Sequence, residues 1–163
     1  MNPLKLGLWG RNGHSIHGRL ANYPQLQLIA VGDMGDEVHN KLKAQYPELI
    51  ICETYEQMLA LPGLEMVTLN SRVRANQADE ILAALAKNIH VYAEKPCGVT
   101  EAQLDQIIEA SQKSDAKFHE MAGTVYDAPY WQMKQLVAEG VIGDVVQVLA
   151  QKSYPMHERR PKS

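Results

Sequence analysis

Long apolar runs are missing from this chain: no stretch approaches the ~20 residues that span a bilayer, so no membrane segment is predicted. Cysteine is scarce. Cys52 and Cys97 are the only two in 163 residues, and they supply neither a disulfide framework nor a metal-ligand spacing. Blocks of like charge are absent as well, and a formal net charge of −3 leaves no electrostatic footprint for nucleic acid or an anionic membrane. The short basic tail at 157–162 is read as a solvated end. The residues before Gly7 are too few for a signal peptide, so a soluble cytoplasmic protein is expected.

What the chain does have is alternation. Apolar runs at 4–9, 26–31, 49–51, 65–69, 90–93, 117–122 and 145–150 read as strands. Helical segments are expected between them, up to about Asn22, over 37–46, at 55–61 and over 130–139. Ala78, Ile81, Leu82 and Leu85 recur at helical spacing and form one apolar stripe. Thr100 and Gln103 match a capping box, with Leu104, Ile107 and Ile108 as the buried face behind it. Met133, Leu136 and Val137 are assigned to the inward face of the last helix, which Gly140 stops. Repeated strand–helix alternation defines the fold class: α/β, a doubly wound, mostly parallel sheet with helices on both faces and right-handed crossovers.

Three groups of residues carry chemistry. Gly7, Gly10, Gly13 and Gly18 cluster at the first strand–helix turn, where residues without a Cβ let backbone approach a pyrophosphate. Against G-x-G-x-x-G, Gly10 fills the first position, Asn12 stands at the second and Ser15 at the third; an ordinary glycine turn is the competing reading. Asp33 ends the second strand at about the ~20-residue spacing of a carboxylate that accepts from ribose hydroxyls. A carboxylate there favours NAD over NADP, whereas the plainer role for Asp33 is a helix cap near Asp36. Glu94-Lys95-Pro96 is the third group. Proline forces Lys95 into extended geometry, so an ammonium and a carboxylate emerge at the carboxyl end of a strand, where open α/β sheets build their sites. The alternative there is a surface lysine before a helix-starting proline. His14 and His17 lie three apart near the glycine turn, without the third ligand a metal site needs. His14 is a candidate for the cofactor phosphates or for a structural role, and no metal is expected.

With Glu94-Lys95-Pro96-Cys97-Gly98 in place, the chain resembles the N-terminal half of the Gfo/Idh/MocA (glucose–fructose oxidoreductase/inositol 2-dehydrogenase) family. The resemblance runs from Lys5-Leu6-Gly7 to Glu139-Gly140-Val141-Ile142-Gly143-Asp144. It implies an NAD(P)-dependent oxidoreductase acting on a sugar, polyol or related small molecule. Residues 1–143 would be its Rossmann domain and 144–163 the start of a truncated C-terminal substrate and dimerisation domain; the oligomeric state stays open, a homo-oligomer being one outcome that apolar surface at 145–150 would allow. Lys95 would lie between nicotinamide and substrate and Glu94 would orient its neighbours; a cis Lys95-Pro96 bond is plausible on general grounds.

The sequence departs from that family where a Thr-Pro pair and a later His are usual. Asn70-Ser71-Arg72-Val73-Arg74-Ala75-Asn76-Gln77 stands there instead. Asn70 and Ser71 can still hydrogen-bond a cofactor; Arg72 and Arg74 either meet a phosphate or acidic substrate or are simply solvated. The family's second-domain Asp and His have no counterpart in this chain. Tyr126, Asp127, Tyr130 and Trp131 suit either a substrate rim or an aromatic core. A non-catalytic dinucleotide- or sugar-sensing module, or a truncated remnant, is the alternative function.

Overall fold

In the computed structural model, residues 2–151 and 153 are described. Six strands form one sheet in the order β3-β2-β1-β4-β5-β6. They are β1 (Leu4–Gly10), β2 (Leu26–Gly32), β3 (Ile50–Cys52), β4 (Met66–Asn70), β5 (His90–Ala93) and β6 (Phe118–Glu120), and every pairing is parallel. The expected doubly wound α/β fold is therefore present. Parallel strands need crossovers, and the crossovers cover both faces of the sheet.

The two faces are visible in β1, where side chains alternate. Leu6 and Leu8 join Val31, Met34, Val38 and Leu42 in one core, against α1 (Asp36–Gln45). Trp9 belongs to the other core, with Met58 of α2 (Tyr55–Leu59), Ile81 of α3 (Gln77–Leu85) and Ile107 of α4 (Glu101–Lys113). Of the stripe expected in α3, Ala78, Ile81 and Leu85 are buried and Leu82 is partly buried, with Ala84 buried beside them. α2 is short yet well started, because Thr54 and Gln57 form a reciprocal capping box.

Five local expectations fail. The segment after β1 is a six-residue 3-10 turn, His17–Asn22, with Leu20 its only buried residue. Gly18 inside it and Pro24 beyond it work against a regular α-helix. In α4 only Ile107 is buried, while Leu104 and Ile108 are each nearly half exposed. The helix presses on the core along one narrow line, so neighbouring apolar positions stay outside. Thr100 caps α4 as expected, but the Gln103 side chain accepts from Val99 N–H rather than closing the box on Thr100.

The first compact unit ends at Ala122 and a second begins at Gly123. The second contains α5 (Ala128–Ala138), which has no buried residue; Met133 and Val137, expected to point inward, are exposed. A periodic stripe defines a face without supplying what covers it. Residues 145–150 form no strand, and Val146 and Leu149 are almost fully exposed. A strand is made by its neighbour's hydrogen bonds, and none is offered to this segment among the described residues. The basic tail expected to be solvated lies outside the described residues.

Register is what builds the site. Trp9 pairs with Gly32, Gly10 with Asn70 and Leu69 with Ala93. The strands thus end level, and Arg11, Asp33, Ser71 and Glu94 leave from one rim. The order reverses between β1 and β4, the switch point where open α/β sheets bind ligands.

Candidate cofactor and hydride-transfer site

The glycine turn is shaped by its neighbours. Gly10 has φ +72°, and a Cβ there would strike the Asn70 carbonyl. Gly13 has φ +91°, and a Cβ there would strike the Glu94 carboxylate. Only glycine meets both demands without strain. Asn12 N–H donates to the Asn70 carbonyl at 3.0 Å and its side chain reaches the Ser71 carbonyl at 3.4 Å. Asn70 Nδ2 returns a bond to the Asn12 carbonyl at 3.3 Å. The turn after β1 is thus tied to the end of β4. Asn70 is fully buried, and its Oδ1 has no partner among the described residues. A buried acceptor left unpaired is costly, and a ligand donor would satisfy it.

Glu94 is the hub of the opposite side. Its side chain is buried, yet its carboxylate accepts from His14 N–H, from Lys95 N–H at 2.9 Å, and lies 2.9 Å from His14 Nδ1. Burial alone would raise its pKa; the bonds from His14 and Lys95 outweigh that and hold it below the usual carboxylate range. The Lys95-Pro96 bond is cis. Gln77, fully buried at the start of α3, donates from Nε2 to the Glu94 carbonyl and to the Pro96 carbonyl at 2.9 Å. Arg74 in turn donates to Gln77 Oε1. Cys97 N–H is taken by Glu120 of β6 at 2.8 Å. The backbone on both sides of Lys95 is therefore held while its side chain remains exposed.

A second cluster supports the floor. Glu80 of α3 accepts from Ser71 Oγ and from Trp9 Nε1 at 3.2 Å. Burial raises its pKa, the bonds from Ser71 and Trp9 lower it in part, and Asp33 and Asp79 add to the rise. Trp9 also packs on Tyr55 with ring centroids 5.3 Å apart.

Asp33 stands apart from these bonds. It adopts φ +50°, a left-handed conformation that Asp tolerates. It is no helix cap, because Gly35 occupies that position in α1 with no side-chain bond. Arg72 NH1 lies 3.7 Å from Asp33 Oδ1. Arg11, Asn12, Asp33, Met34, Gly35 and Arg72 line a cavity of about 430 Å³.

The candidate cofactor and catalytic residues (Gly10, Asn12, Gly13, His14, Asp33, Asn70, Ser71, Glu94, Lys95) lie along this rim. Gln77, Glu80 and Trp9 were not among them. Gln77 and Glu80 sit on a helix, where polar side chains ordinarily face water, and only the tertiary register turns them inward. His17 engages Ser15 Oγ at 2.9 Å rather than joining His14. Trp131, Tyr130 and Tyr126 are exposed and form no aromatic core among the described residues. Both thiols are buried and their pKa values pushed up by burial, so neither is an activated nucleophile.

The fit to a dinucleotide rests on this geometry: two glycines whose missing side chains let the turn close against Asn70 and Glu94, an orphaned Asn70 Oδ1, and an acid-containing cavity at the end of β2. A parallel sheet with such a rim defines a dinucleotide-binding protein. A family model described as an oxidoreductase family with an NAD-binding Rossmann fold (GFO_IDH_MocA) matches residues 6–121. The chain belongs to the Gfo/Idh/MocA oxidoreductase family.

Among curated relatives, it is 27% identical over 126 residues to the inositol 2-dehydrogenase of Gluconacetobacter diazotrophicus, covering 76% of this chain and 37% of that protein. It is 33% identical over 95 residues to the inositol 2-dehydrogenase of Salmonella typhimurium, covering 58% of this chain and 28% of that protein. The fold is also that of the solved myo-inositol 2-dehydrogenase of Lactobacillus plantarum. That match has a TM-score of 0.77 at 19% identity and covers 89% of this chain and 44% of the other. The chain thus spans under half the length of these relatives.

Proposed function

We propose that this chain forms the cofactor-binding part of an NAD-dependent oxidoreductase acting on a hydroxyl or carbonyl group of a sugar or polyol. The observation that carries the reading is Lys95. Its ammonium stands on a backbone held on both sides by Glu94 and Gln77, at the carboxyl end of β5. A bound nicotinamide supplies or accepts the hydride.

In this reading the protein does the rest. Gly10, Asn12 and Gly13 admit the pyrophosphate to the turn, with the His14 imidazole beside it. Asp33 accepts from ribose hydroxyls, and Asn70 Oδ1 and Ser71 Oγ offer acceptors further along the rim. Lys95 donates to the reacting oxygen, where an ammonium stabilises the negative charge that develops as hydride leaves or arrives. Glu94 is a positioning residue, since its oxygens hold the Lys95 peptide and the His14 turn at once. Inositols are the first substrates to try, because the named relatives act on them. A reducing cytoplasm suits two buried free thiols, and self-association is supported by exposed Val146, Val148 and Leu149.

Fluorescence titration with NADH tests the core of this reading. Saturable binding is expected, and a folded chain that binds none at about millimolar cofactor ends it. Lys95→Ala should leave that binding intact and lower turnover of an active enzyme by about 10²–10⁴-fold. Binding without turnover of any polyol would favour a dinucleotide-sensing module instead.

A further inference from the structure

A lone carboxylate at the end of the second strand excludes a 2′-phosphate by repulsion. Asp33 is not alone. Arg72 leaves the end of β4, passes over the β1 turn and brings NH1 to 3.7 Å from Asp33 Oδ1. Arg11 lines the same cavity, so a second arginine borders the space in front of this carboxylate. The strand order β2-β1-β4 makes this meeting possible, because the three loops leave neighbouring strands at the same level.

The Arg72–Asp33 pair is also easy to exchange. The Arg72 side chain is 76% exposed and that of Asp33 28%, and an ion pair this open contributes little to stability. Arg72 makes one contact near 4 Å rather than a two-pronged bond. A phosphate offers the guanidinium fork a better partner, with two oxygens in matching geometry and more charge.

We propose, resting on the dinucleotide reading above, that Arg72, assisted by Arg11, is a specificity-determining residue that lets this site accept 2′-phosphorylated dinucleotides alongside unphosphorylated ones. With an unphosphorylated cofactor, Asp33 accepts from the ribose hydroxyls and Arg72 stays beside it. With a 2′-phosphate, Arg72 transfers its fork to the phosphate, and its charge offsets the repulsion from Asp33.

Calorimetric titration of the full chain with NADH and NADPH decides the matter. Both should bind, with dissociation constants within about tenfold of each other. Arg72→Ala should weaken NADPH by about tenfold or more and alter NADH by less than about threefold. Arg72→Lys, which keeps the charge and loses the fork, should fall between. NADPH affinity should also drop more steeply with salt than NADH affinity. Wild-type discrimination against NADPH beyond about a hundredfold overturns the proposal, as does an equal loss of both ligands in Arg72→Ala. Absence of binding by either ligand to a chain with native circular dichroism is a different failure: it removes the dinucleotide reading, and the proposal with it.

Discussion

Lys95 and Asp33 lie on the same rim and are held in opposite ways. Around Lys95 the supports are buried: Glu94 and Gln77 are each almost wholly inaccessible, and their polar atoms are engaged with backbone on both sides of the lysine. Around Asp33 the partner is an exposed arginine at 3.7 Å. Buried hydrogen-bond networks fix geometry because every broken bond leaves an unsatisfied group. Exposed ion pairs fix little, since water replaces either partner. The first arrangement suits a group that must meet a reacting atom, the second a group that sorts ligands.

The sharpest way to break the contrast is at its most buried support. Gln77→Leu keeps the volume but removes the donors to the Glu94 and Pro96 carbonyls. It should destabilise the protein by about 2–4 kcal/mol, measured by urea unfolding, because the buried Glu94 carbonyl loses its donor and Arg74 its acceptor. Gln77→Glu loses the donors while retaining an acceptor for Arg74, and it adds a buried charge, so its cost should be at least as large. A loss below about 0.5 kcal/mol in Gln77→Leu would mean that the Lys95 backbone is held by other means.

How much of this was readable beforehand follows from the same contrast. Strands and the α3 stripe were legible because burial imposes a period on apolar residues. Lys95 was legible because proline restricts the residue before it, and Asp33 because its distance from Gly10 follows from one strand–turn–strand unit. Gln77 was not, since the partners that explain it lie 17 and 19 residues away and meet it only through the β4–β5 register. Glu80 was hidden similarly: Trp9 is 71 positions distant. The apolar segments at 133–137 and 145–150 misled in the other direction. Pattern marks surface that seeks cover, and no described residue supplies it.

A middle-sized effect should come from Glu80, which is only partly buried where Gln77 is fully buried, and which carries charge near Asp33. Its raised pKa means the folded state binds the proton more tightly than the unfolded chain does. Ionised Glu80 therefore detracts from stability; the penalty is absent below the unfolded pKa and grows as pH rises until it is complete above the folded one. Glu80→Gln keeps the shape and can still accept from Trp9 Nε1. It should raise stability at pH 8 relative to wild type and lose that advantage by pH 4, as read from thermal midpoints across pH. Glu94 works the other way: its depressed pKa adds stability above the ordinary carboxylate range that is lost as pH falls through the folded value. A variant that is equally stabilised at both pH values would show that packing, not ionisation, sets the difference.

The smallest effect should come from Arg72. If the Asp33 side of the rim is held as loosely as its exposure implies, Arg72→Ala should change unfolding free energy by less than about 0.5 kcal/mol. Part of that change should vanish in ~1 M salt, where charges a few ångströms apart in water are screened. Asp33 must then hold its left-handed backbone without Arg72, which is reasonable because Gly32 and Met34 on either side are buried and fix the chain. A loss above about 1.5 kcal/mol would put the ion pair in the class of structural supports. It would also erase the division of labour between the two ends of the rim, because a guanidinium needed for folding is not free to leave Asp33 for a ligand.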